Sequence, residues 1–240
     1  MNINLYKNKE ATIGIIKLDT KFERILGDIG NPKTWKFPVI FQTMEGVFPE
    51  KVIFNSDYEV LVKAIEAAKI LEERGVCGIT TSCGFLGKFQ KKIGDSVNIP
   101  VFTSSLLQIP LIYNLINKDK KIGILTANYK SLTEEHLINC GINDIPLIIG
   151  GMDDYSYFQS IFISNQITTS INIERLKTEF IQAAMDLKHS CNELGAIVLE
   201  CTNMSPFSYD IQKGIRLPVF DINSLVEWVY NSWDKQNYIK

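Results

Sequence analysis

The sequence predicts an α/β fold: two similar domains with parallel sheets, related by pseudo-twofold symmetry, with an active-site cleft between them. Three observations carry this expectation. Residues 78–102 (GITTSCGFLGKFQKKIGDSVNIPVF) recur as 196–220 (AIVLECTNMSPFSYDIQKGIRLPVF), at an offset of 118. Short β-branched runs alternate with helical-period segments, the pattern of parallel sheets wrapped by helices. A chain of 240 residues is long enough for two such halves.

The duplication is specific. Without a gap, Ile79, Cys83, Phe89, Ile93, Pro100, Val101 and Phe102 face Ile197, Cys201, Phe207, Ile211, Pro218, Val219 and Phe220. Those are seven identities in 25 positions, where ordinary composition gives roughly one or two. In each copy a cysteine ends an apolar run and a proline follows 17 residues later.

Taken in order, Thr12–Lys17 (TIGIIK) reads as the first strand. Leu18–Lys36 breaks into charged and turn residues; a loop of that length after a first strand covers or lines a site. Phe37–Phe41 reads as the second strand, followed by another glycine-bearing loop. Asn55-Ser56-Asp57 supplies a cap for a helix in which Leu61, Ala64, Ile65, Ala68 and Leu71 recur up to Gly75. Val76–Thr81 delivers Cys83, Pro100–Thr103 is a fourth strand, and Ser104 or Ser105 caps a helix to about Asn117. KDKKIGILTAN (118–128) echoes KEATIGIIKLD near the start and reopens the pattern. A helix over Ser131–Cys140, a strand over Ile145–Ile149 and a helix from about Ile173 to Leu194 lead into strand Ala196–Leu199. Asn223 and Ser224 open a closing helix that runs to about Trp233. The expected division is residues 1–103 plus 223–240 as one domain and 104–222 as the other.

Composition excludes several function classes. Apolar residues at 45%, charged residues at 22% and a scattered net charge of −2 fit a soluble globular protein. No basic block suggests nucleic acid. No apolar run reaches membrane-spanning length and MNINLYKNKE lacks a secretion signal's apolar core, so a cytoplasmic protein without a membrane partner is expected. Five cysteines without C-x-x-C spacing argue against a disulfide framework, and His136 and His189 lie away from any cysteine pair, so no metal is expected. Cys77, Cys140 and Cys191 read as small buried apolar residues. No P-loop appears, and Gly27, Gly30 and Gly46 do not make a G-x-G-x-x-G, so no cofactor is expected.

Chemistry concentrates at Cys83 and Cys201. In such sheets ligands collect outside the carboxyl ends of the strands, and both cysteines sit there, each before residues that begin a helix. Backbone N–H groups at such starts attract anions and lower a thiol's pKa. Two thiols aimed at one point from opposite sides suit removal of a proton from carbon on one face and its return on the other. The carbon beside a carboxylate is a weak acid, so fixed donors on the carboxylate oxygens are needed. The backbone amides of Gly84, Phe85, Thr202 and Asn203 are the candidates, with the Thr202 hydroxyl and Asn203 amide assisting. Asp28 and Asn31 either reach a polar end of the substrate or build a turn; Thr43 and Gln42 end the second strand and are placed to line the cleft. Glu200 alternates away from Cys201 along the strand and is not read as a base. Trp228 and Trp233 read as core or interface anchors.

Two cysteines in duplicated α/β halves, with S-C-G-F in the first and E-C-T-N in the second, resemble the aspartate/glutamate racemase superfamily. The G-D-I-G-N-P segment (27–32) is similar to the loop after the first strand in some members. The resemblance implies two flavodoxin-like domains, an active site between them, and frequently a homodimer. It implies cofactor-independent racemisation of a small amino acid of aspartate or glutamate type, with Cys83 and Cys201 as the acid/base pair. Glutamate racemases have Cys-Asn-Thr and Cys-Thr-His where this chain has Cys83-Gly84-Phe85 and Cys201-Thr202-Asn203. Hydantoin racemases and maleate cis–trans isomerases share the scaffold and stay open as alternatives, as does a non-catalytic two-lobed protein that binds a small carboxylate. Arylmalonate decarboxylases keep one cysteine, which counts against them.

Overall fold

The order in which strands pair repeats from one half of the chain to the other. The computed structural model describes residues 11–55, 57–165, 167, 170–235 and 239; MNINLYKNKE and the expected cap residue Ser56 lie outside them. Within these residues β1 (Ile13–Leu18), β2 (Val39–Met44), β3 (Gly78–Thr81) and β4 (Val101–Phe102) form one sheet, ordered β2-β1-β3-β4. Strands β5 (Lys121–Thr126), β6 (Leu147–Gly151), β7 (Leu194–Leu199) and β8 (Val219–Phe220) form the other, ordered β6-β5-β7-β8. All six pairings are parallel. The expected fold class is the one found.

Equivalent devices build each half. Helix α2 (Tyr58–Glu73) is capped by Asp57, whose side chain accepts from the Val60 N–H, and it buries Val60, Leu61, Ala64, Ala68 and Leu71. Leu71 lies over Gly14 of β1, where a Cβ would come within 3.1 Å of it. Helix α7 (Ile173–His189) is capped by Asn172 and buries Leu176, Phe180, Ala183, Ala184 and Leu187. Leu187 lies over Gly123 of β5, the counterpart of Gly14, at 3.1 Å from such a Cβ. The glycines in the two strand centres thus let a leucine close on the backbone.

Several boundaries differ from the sequence reading, among them β6, which runs Leu147–Gly151 rather than Ile145–Ile149, and α5, which spans Glu134–Asn139 within the expected Ser131–Cys140. Strand β2 begins at Val39, because Pro38 has no N–H to give the ladder and contributes only its carbonyl, to Ile13. Helix α7 stops at His189, since Leu194 already belongs to β7. The second expected loop contains helix α1 (Pro49–Phe54), with Pro49 at its first position.

The remaining helices are short: α3 (Gln90–Gly94), α4 (Ile109–Leu115), α5 (Glu134–Asn139), α6 (Ser156–Phe158) and α8 (Ser208–Ile215). Helix α9 (Ile222–Trp233) opens on Asp221 in a capping box with Ser224. It returns to the first sheet, packing Ile222, Leu225, Val226 and Tyr230 with Ile13, Ile15, Cys77 and Phe102. Trp228 and Trp233 are not core residues; they are 65% and 46% exposed.

The halves share one interior. A continuous apolar cluster runs from Ile16, Leu61 and Ile79 to Ile124, Phe180 and Ile197. Two buried hydroxyls join the sheet edges: Thr202 Oγ1 donates to the Ser82 carbonyl at 2.8 Å, and Ser105 Oγ to the Leu199 carbonyl at 2.6 Å. No helix among the described residues is long and apolar enough to cross a membrane.

Candidate active site between the two sheets

Parallel pairing sends the carboxyl ends of β1 and β3, and of β5 and β7, to one place. A narrow cavity lies there, whose empty space of about 360 Å³ includes the part open to solvent. Cys83 and Cys201 both line it, together with the residues around each: Ser82, Gly84 and Phe85 on one side, Glu200, Thr202 and Asn203 on the other. Leu18 ends β1, Thr20, Phe22 and Arg24 come from the segment after it, Pro49 and Ile53 from α1, and Phe162 and Ile163 from the second half. The thiols are 9% and 8% exposed.

Each cysteine stands immediately before a short 3-10 helix, Gly84–Phe89 or Thr202–Phe207. The first amides of these turns favour ionised sulfur, those of Phe85 and Leu86 at Cys83 and that of Asn203 at Cys201, while the Leu86 N–H donates to the Cys83 carbonyl at 3.1 Å. Asn203 Nδ2 also donates to Cys201 Sγ at 3.7 Å. These donors favour the thiolates, but burial outweighs them. Burial, then the charge of Glu200, pushes the Cys83 thiol up to about 12, and the same causes in the same order raise Cys201 well above its ordinary value.

The sequence-expected binding residues divide into those at the cavity and those behind it. Gly84, Phe85, Thr202 and Asn203 line it. The Thr202 hydroxyl, though, is directed at the Ser82 carbonyl. Asp28, Asn31 and Thr43 are not among the lining residues. Asp28 is 2% exposed and accepts from the Gly30 N–H at 2.7 Å and from Arg24 Nη1 at 2.8 Å. Asn31 donates to the Arg24 carbonyl and caps the turn Pro32–Thr34. Both build the loop that holds Arg24. Thr43 lies in β2 beside Gln42, along a separate surface hollow.

Among the lining residues not named as site residues from sequence, two carry ionisable groups, Arg24 and Glu200. Arg24 is held by Asp28 and by Thr20 Oγ1 at 3.0 Å, and its guanidinium lies 4.9 Å from the Phe22 ring centre. Its Nε is buried without a partner. Glu200 is fully buried; burial pushes its carboxyl up to about 7 against the opposing hydrogen bonds. Oε2 accepts from Thr126 Oγ1 at 2.8 Å and the Ala127 N–H at 3.4 Å, while Oε1 has no partner. A Cβ on Gly84 would collide with the Glu200 carbonyl and carboxylate oxygens. Glycine follows Cys83 because Glu200 fills the space a side chain would need.

The same layout occurs in solved enzymes. An aspartate racemase from Picrophilus torridus superposes with a TM-score of 0.59 at 12% identity, covering 93% of this chain and 94% of that one. Unliganded arylmalonate decarboxylase gives 0.59 at 12% identity, covering 95% and 96%. This is the aspartate/glutamate racemase fold. No protein-family profile matches the chain.

The racemase fold does not bring racemase activity with it. A dimethylsulfoniopropionate lyase of Durusdinium sp. clade D is 29% identical over 220 residues, 89% of this chain and 72% of that protein. Dimethylsulfoniopropionate lyase 7 of Emiliania huxleyi is 31% identical over 219 residues, 88% of this chain and 63% of that protein. Against lyases 3 and 6 of the same organism the chain spans 56% of their length, at 30% identity. Relatives matched by sequence are thus lyases, whereas the racemases match in backbone alone. The expectation of an aspartate- or glutamate-type racemase is corrected on that ground. Relatives and structural neighbours alike are enzymes.

Proposed function

We propose that this protein is a carbon–sulfur lyase that eliminates a sulfonium group from the β-carbon of a small carboxylate, dimethylsulfoniopropionate or a close analogue. The observation that carries the reading is similarity to dimethylsulfoniopropionate lyases over 88–89% of the chain, joined to a cavity with two thiols.

The chemistry reconciles this activity with its fold. Racemisation and β-elimination share a first step, removal of a proton from the carbon next to a carboxylate. They part over what the resulting electron pair does. With a dimethylsulfonium group on the next carbon, the pair forms a double bond and neutral dimethyl sulfide departs, leaving acrylate. In this reading Cys83 or Cys201 is the base, and Arg24 is the lining cation that meets the substrate carboxylate. The rings of Phe85 and Phe162 offer an apolar, π-rich wall for the sulfonium methyls. The substrate is a zwitterion, so a cavity with one guanidinium and aromatic walls complements both ends.

The test is direct. Purified protein given dimethylsulfoniopropionate is expected to release dimethyl sulfide, read by headspace gas chromatography, and acrylate, read by NMR. Cys83→Ser and Cys201→Ser are each expected to lose about 10²–10⁴-fold in rate. Absence of both products across a panel of β-sulfonium carboxylates would sink the reading.

A further inference from the structure

A thiol can act as a base only after losing its own proton, and at this site nothing in bulk water takes it readily. Both sulfurs are buried, and burial holds Cys83 up at about 12 and Cys201 well above its ordinary value. The cavity contains a group suited to the task. Glu200 precedes Cys201 in the chain, and its carboxyl lies against Gly84, the residue after Cys83. Thr126 and Ala127, at the end of β5, fix Oε2. Oε1 is buried and unpartnered. The charged and titratable groups around Glu200 are Cys83 after β3, Cys201 after β7 and Cys140 at the end of α5, all of which feel its charge. Arg24, on the segment after β1, lines the same cavity.

We propose that Glu200 is a third acid–base group of this cavity, taking through Oε1 the proton that a thiol must lose before it can attack a C–H bond. The proposal rests on the elimination reading. In the first step the S–H bond breaks and an O–H bond forms, giving a thiolate and a neutral carboxyl. In the second the thiolate takes the α-proton and the C–H pair becomes the C=C bond. The C–S bond breaks with its pair on sulfur, which leaves as dimethyl sulfide. The thiol is then restored with the substrate's proton, and Glu200 holds the original one until the site opens to water. One proton is released per turnover, which balances the conversion of a zwitterion into an anion and a neutral sulfide.

The experiment measures two quantities against pH in wild type and Glu200→Gln: dimethyl sulfide release, and alkylation of Cys83 and Cys201 by iodoacetamide, followed by mass spectrometry. In wild type both are expected to rise through an apparent pKa near 7. In Glu200→Gln that step disappears from both profiles, and dimethyl sulfide release is expected to fall about 10²–10⁴-fold at neutral pH. Both then climb about tenfold per pH unit towards the thiols' own range. A folded Gln variant that keeps the wild-type pH profile in alkylation would overturn the proposal. If wild type makes no dimethyl sulfide, the lyase reading fails, while the alkylation profile still decides the role of Glu200. If the Gln variant does not fold, infrared spectroscopy of wild type decides: a protonated-carboxyl band that vanishes as pH rises through about 7 supports the proposal, and its absence overturns it.

Discussion

Glu200 is the residue at which stability and chemistry pull in opposite directions. Its folded pKa of about 7 lies above the ordinary 4.5. Between those values the folded chain holds a proton that the unfolded chain has lost. Stability therefore falls as pH rises through that window, and above it the deficit is on the order of 3 kcal/mol. Glu200→Gln is expected to be the more stable protein at about pH 8, with the difference vanishing below about pH 4.5. Urea titrations at the two pH values check this, and equal midpoints at high pH would refute it. Such a group is retained against its own folding cost where function needs it. His136 tilts the balance the other way. Burial, then Lys88, lowers it to about 4, so the unfolded chain binds a proton there between pH 6.5 and 4 that the folded chain refuses, and stability falls on acidification.

Among the elements, the two cysteine turns decide the site, and Gly84 is their tightest point. An alanine there would push into both the Glu200 carbonyl and its carboxylate. Gly84→Ala is expected to cost about 1–3 kcal/mol and to displace Glu200; a drop in urea midpoint together with a shifted thiol alkylation profile would show it, and an unchanged midpoint would refute it. The turns also show how far sequence alone reaches. The duplicated Cys83 and Cys201 were legible because sheet symmetry preserves both the residue type and its interval to the following proline. Glu200 was not, because period-two alternation was extended one residue too far. Strand β7 ends at Leu199, and Glu200 already lies beyond it, ahead of the bend at Cys201, so it lines the cavity that alternation would turn it from. Arg24 was hidden for a different reason. It lies in a loop without periodicity, held by Asp28, a contact four residues apart that no hydrophobic pattern announces. Asp28 and Asn31, expected either to reach the substrate or to build a turn, build the loop that holds the cation.

For the whole molecule, two sheets with one interior behave as one body. The apolar cluster that joins Ile16 and Ile79 to Ile124 and Ile197 has no seam. Bonds across the halves reinforce it: Thr202 Oγ1 donates to the Ser82 carbonyl at 2.8 Å and the Lys21 N–H to Asn165 Oδ1 at 2.8 Å. Urea unfolding is therefore expected to be one transition. The three tryptophans report on the loop after β1 and on α9, whereas far-ultraviolet circular dichroism reports on both halves. Coincident curves are the expected result, and separated midpoints would show that the halves unfold independently.

The depth of the two sulfurs has a consequence of its own. Peroxides attack thiolates that solvent can reach. Here each thiol is at most 9% exposed and held protonated by its surroundings. The resting protein is thus slow to react with oxidants, because attack requires a sulfur that is both ionised and reachable.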